Sequence, residues 1–177
     1  MTYSGDRILL SNEREGQTSR FRAWVVAAVA LGAILFQVYV PRHVPFLGFL
    51  EMPLLIVVYF ALVRRSQISG LLVGAAVGLA QDSLSEHPLG MFGIDKTLVG
   101  YFAASVGVRL DVDHPLIRLL LSYFFYVFHQ LLFWVMTRAL LSKPSVLDWP
   151  GMAVSGLLNA IVGVTLFAFL DRLRQQS

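Results

Sequence analysis

Residues 149–170 carry no charged side chain, and neither do residues 23–40. An eighteen-residue helix rises about 27 Å, close to the roughly 30 Å hydrocarbon thickness of a bilayer. Runs of this kind have two outlets, a bilayer or a large protein core. Of the 177 residues, 56% are hydrophobic and only 14% charged, too little polar surface to wrap such a core in water. The sequence therefore predicts an all-α polytopic membrane protein. Its Lys and Arg residues sit at the ends of the apolar runs. The net charge of +3 is accordingly a topology signal, with no nucleic-acid partner implied. The absence of cysteine excludes disulfides, thiol catalysis and thiolate metal sites.

Six apolar segments follow one another with short loops between them, so a six-helix transmembrane bundle is expected. Residues 1–22 form a polar N-terminal segment with Arg7, Arg14, Arg20 and Arg22. Span 1 covers 23–40 and lacks a small-residue cleavage site at its end, which favours a retained anchor over a cleaved signal peptide. Span 2 covers 46–63 and contains Glu51 and Pro53. Span 3 (68–81) and span 4 (97–110) are short: fourteen residues rise only about 21 Å. They read as two thin spans or as a partly re-entrant hairpin, with a loop that opens at Asp82 and ends at Lys96. Span 5 covers 115–141 and span 6 covers 149–170. The expected organisation is a cytoplasmic segment 1–22, a membrane domain 23–170 and a short cytoplasmic tail 171–177. Arg7, Arg14, Arg20, Arg22, Arg64, Arg65, Arg109, Arg118, Arg172 and Arg174 fall on one side. Only Arg42, Lys96, Arg138 and Lys143 fall on the other. This asymmetry predicts both termini in the cytoplasm.

Three constellations stand out. Gly70, Gly74 and Gly78 recur every fourth residue and form one helical stripe, with Gly100 and Ala104 at matching spacing in span 4. Small residues so spaced let backbones approach in lipid, so helix packing is the expected role. Glu51, Asp82, Asp95 and Lys96 gather near one membrane edge. Lys96 is expected to pair with Asp82 or Glu51, the alternative being that these side chains snorkel to the headgroups. His129 and Asn159 lie near mid-span in spans 5 and 6. An interhelical hydrogen bond between them is expected, since no carboxylate is foreseen beside His129 to complete a proton relay. Arg118, Ser122, Tyr126 and His129 form a polar stripe on span 5. The chain has no HExxH, GxSxG or Walker A sequence, and Asp111, Asp113 and His114 read as a solvated connector. No catalytic, cofactor-binding or metal-ligating residue is assigned.

Several of these stretches resemble the bacterial rod-shape-determining MreD family. The resemblance rests on Pro53 through Leu62, on Gly70-Leu71-Leu72-Val73-Gly74 and on Gln81-Asp82-Ser83-Leu84. It continues through Pro88-Leu89-Gly90 and Lys96-Thr97-Leu98-Val99-Gly100-Tyr101. It implies a non-enzymatic inner-membrane scaffold of the cell-elongation (rod) complex, which helps regulate cell shape and lateral peptidoglycan synthesis. The implied partners are MreC, most directly, then RodZ, MreB, and RodA with its partner transpeptidase, all within the lipid of the cytoplasmic membrane. No cofactor is implied. Gly70, Gly74, Gly78, Asp82, Gly90, Lys96, Gly100 and Glu51 are then expected to serve structure and interaction, and His129 and Asn159 to be intramembrane polar contacts. The alternative from another class is the membrane substrate-binding subunit of a small-molecule, vitamin-type importer. An interior cavity with polar lining near the outer side would favour it.

Overall fold

The computed structural model describes residues 23–85, 88–141 and 146–173. The polar segment 1–22, the loop 142–145 and the end of the tail, 174–177, lie outside the described residues. Six α-helices and one 3-10 helix make up the described chain: α1 (Ala23–His43), η1 (Pro45–Phe49), α2 (Met52–Arg64), α3 (Gln67–Leu84), α4 (Met91–Gly107), α5 (Pro115–Leu141) and α6 (Trp149–Arg172). Four stretches are long and apolar enough to cross a membrane: Trp24–His43, Pro45–Arg64, Pro115–Ala139 and Trp149–Arg172. The protein is thus an all-α, multi-pass membrane protein.

The bundle is organised around α2. Every residue from Pro53 to Val63 is buried. A helix apolar on all sides is stable only when other helices surround it, and α1, α3, α4, α5 and α6 all pack on α2. Pro53 sits in its first turn, where no intrahelical hydrogen bond is lost. Arg65 ends α2 in the left-handed conformation, with φ of 51°. Ser66 then caps α3 by accepting from the Ser69 N–H.

Two boundaries differ from the sequence reading. α3 and α4 have 18 and 17 residues, longer than the fourteen expected. α4 begins at Met91, so Asp95 and Lys96 belong to a helix and do not end a loop. The connection is correspondingly short. Span 2 is also interrupted: η1 ends at Phe49 and α2 starts only at Met52.

At the end of the bundle that carries Arg64, one ionic knot ties three elements together. Arg118 donates to the Val112 carbonyl and to Asp171, each at 2.6 Å. The Tyr59 hydroxyl donates to the other Asp171 oxygen at 2.8 Å. The remaining members of the Arg118 stripe, Ser122, Tyr126 and His129, are likewise buried, so this face of α5 points into the bundle.

Candidate functional site

The interior of the bundle holds a polar core built on the interruption before α2. A break in a membrane helix frees backbone groups that lipid cannot satisfy. Two amide side chains supply the missing partners. Asn159 of α6 accepts the Glu51 N–H at 2.8 Å and donates to the Phe49 and Ser155 carbonyls at 2.7 and 2.8 Å. Gln37 of α1 accepts the Met52 N–H at 3.2 Å. Asn159 therefore binds the break, and the expected bond between Asn159 and His129 is not formed. Asn159→Ala would leave the Glu51 N–H and the Phe49 carbonyl without these partners. Each unsatisfied buried group costs about 1–3 kcal/mol. A loss of that order, read as a lowered midpoint of thermal unfolding in detergent, is the expected outcome.

The break also delivers the Glu51 side chain to α5. Its Oε2 lies 4.0 Å from His129 Nε2. The other ring nitrogen, Nδ1, is in close hydrogen-bond contact with Asp95 Oδ2. Two carboxylates thus flank His129, contrary to the expectation that none lay beside it. The reason is the true start of α4: placing Asp95 on a helix turns it inward, where it is wholly buried.

Lys96 is wholly buried as well. The carboxylates acting on it are those of Glu51, Asp95 and Asp82. It forms no ion pair with any of them; its Nζ has no hydrogen-bond partner among the described residues and sits 4.4 Å from the centre of the Phe92 ring. The expected Lys96 clamp with Asp82 or Glu51 is replaced by a cation over an aromatic face. Phe92 in turn stacks on Phe133 and approaches His129.

Asp82 has another task. Its carboxylate accepts the N–H groups of Gly90, Phe92 and Gly93 at 3.0, 3.0 and 2.9 Å. These are the unpaired donors at the N-terminus of α4. A carboxylate there both satisfies them and meets the positive end of the helix dipole. Gly90 makes the approach possible, since its φ of 97° is open to glycine at no steric cost. Asp82 and Gly90, eight positions apart, are thus halves of one cap.

The glycine stripe runs beneath this cap. A Cβ on Gly70 would strike the Gly100 carbonyl, one on Gly74 the Lys96 carbonyl, and one on Gly78 the Phe92 carbonyl. Backbone lies directly on backbone along the whole α3–α4 contact. The stripe, the cap and the core are therefore contiguous: Gly74 packs on the backbone of Lys96, whose side chain enters the core.

Sequence reasoning missed Gln37 and undervalued Asp95. Gln37 is the one side-chain amide in span 1, which was the available signal. Gln81, also buried, has an Oε1 with no hydrogen-bond partner among the described residues. No group of three or more His, Cys, Asp or Glu is placed to hold a metal ion among the described residues. In the connector, Asp111 accepts the Asp113 N–H and His114 accepts the Leu116 N–H, so these side chains serve the local backbone.

The model of the family described as rod shape-determining protein MreD matches residues 18–173. The chain belongs to the MreD family. The stretches that resemble MreD include the α3–α4 stripe and its cap, together with Pro53 through Leu62 of the central helix α2. Membership gives the general role, rod-shape determination by a multi-pass membrane protein associated with the rod-shape complex. The MreD family is one of shape-determining membrane proteins. Neither a curated protein nor a solved structure matches the chain.

Proposed function

We propose that this chain is a non-enzymatic scaffold of the rod complex in the inner membrane, with both termini cytoplasmic. In this reading it contacts MreC directly and acts with RodZ, MreB, and RodA with its partner transpeptidase. One observation carries the proposal: three deeply buried polar side chains bind other parts of the same chain. Asp82 caps α4, Asn159 closes the break and Asp95 holds His129. A site arranged in this way fixes architecture. Partners are then met on the outer helix faces, where Leu72, Leu98 and Phe102 remain exposed. Gly70, Gly74, Gly78, Asp82, Gly90, Lys96, Gly100 and Glu51 support these faces from within.

The orientation rests on the ten-to-four asymmetry of Lys and Arg between the two sides. The importer-subunit reading has the polar-lined cleft described below in its favour, while family membership favours the rod complex.

The test is co-purification with MreC after polar substitutions on one exposed face at a time, with folding checked by circular dichroism. One face is expected to reduce recovery of MreC several-fold while the others leave it unchanged. Full recovery after disruption of every exposed face would overturn the scaffold contact.

A further inference from the structure

A second feature borders the polar core. A cleft of about 350 Å³ opens between η1, α5 and α6, within the size range of small-ligand sites. Phe49, Tyr126, Phe133 and Trp134 wall it, and Gln130 and Asp148 add polar groups. No lysine or arginine is among its described lining residues. An adjoining apolar lobe of about 400 Å³ shares Phe49 and Gly151 with it and is bounded by Phe46, Val154 and Leu158. The two lobes together have the form of a head pocket and a chain pocket.

We propose that this cleft binds an ammonium group attached to an apolar body. The faces of aromatic rings are electron-rich and attract cations. Trp134 already does so: the Arg138 guanidinium carbon lies 5.1 Å from its ring centre. Asp148 brings a carboxylate to the mouth, and its bond to the Gly151 N–H, at 3.2 Å, fixes its position. Asn159 donates to the Phe49 and Ser155 carbonyls and so holds these two lining residues together. An anionic head would face the Asp148 carboxylate, and the Arg138 cation at the Trp134 ring is not among the described lining residues. The hydrocarbon part takes the apolar lobe. Two sources share this chemistry, the ethanolamine head of a membrane lipid and a free amine. The site is independent of the scaffold reading.

Native mass spectrometry of the full-length protein in neutral detergent, titrated with phosphatidylethanolamine and separately with phosphatidylglycerol, tests it. Phosphatidylethanolamine is expected to fill one saturable site about tenfold more tightly, the scale of one good cation–aromatic contact. Asp148→Asn and Trp134→Leu should each bring the two lipids closer to equal affinity. Asparagine caps helices as well as aspartate does, so the start of α6 is retained. Displacement of the lipid by phenethylamine assigns the site to free amines. A preference that phenethylamine leaves intact assigns it to the lipid head. Equal binding of the two lipids to the unaltered protein overturns the proposal, whether or not the variants fold. A preference that survives both substitutions combined in a folded protein also overturns it.

Discussion

Asp82→Ala is expected to unseat α4 from the rest of the bundle. Three backbone N–H groups lose a shared charged acceptor at once. Two of those donors, on Phe92 and Gly93, are buried, and water cannot readily replace the carboxylate there. Hydrogen bonds to an ionised group contribute about 1.5–3 kcal/mol each, so a loss on the order of 3 kcal/mol or more is expected. Asp82→Asn should recover part of it, because its amide oxygen can accept from Gly90 and Gly93 while its amide nitrogen would face the Phe92 N–H. The measurement is the thermal unfolding midpoint in detergent for the three proteins. Near-equal midpoints for the original chain and Asp82→Ala would contradict the capping role.

Gly74→Val should have a comparable effect by a different route. The Lys96 carbonyl occupies the space that any Cβ would need, and the obstacle is backbone, which cannot rotate away. The two helices must separate, which opens the contact along its length. Overpacking typically costs 1–3 kcal/mol, and about that much or more is expected here. Gly32 on α1 supplies the control. Nothing lies within 4 Å of a Cβ added there. Gly32→Ala should leave stability unchanged or raise it by up to about 1 kcal/mol, from helix propensity alone. If both glycines tolerate substitution equally, the α3–α4 contact is not as close as described.

Helices bounded by strong punctuation were legible in the sequence. Pro115 and the loop after Leu141 delimit α5 as read, and Trp149 opens α6 after the capping Asp148. The four-residue glycine period was sufficient to identify the packing stripe. What escaped was every feature whose cause lies far along the chain. Asp95 and Lys96 resembled a polar loop because charge inside a membrane helix is costly. In the fold, His129 from α5 and the ring of Phe92 make their burial tolerable. The interruption before α2 sits inside an unbroken apolar run, and nothing local marks it apart from Glu51 and Pro53. Its backbone is satisfied by residues 15 and 108 positions away. His129 and Asn159 were read as a hydrogen-bonded pair, whereas His129 meets Asp95 and Asn159 meets the break. Depth follows from counting residues, whereas rotation about the helix axis depends on neighbours.

The interruption also has a consequence for how such a chain is made. Its Met52 donor finds Gln37 already made, whereas its Glu51 donor waits for Asn159, 108 positions further along the chain. Tyr59, in the same central helix, waits likewise for Asp171. During synthesis the central helix α2 is therefore surrounded by an unfinished wall, and it is closed only when α6 arrives. Assembly is a long-range event that local helix formation cannot complete. A chain stopped before α6 would lack one more crossing and also the last partners of its centre.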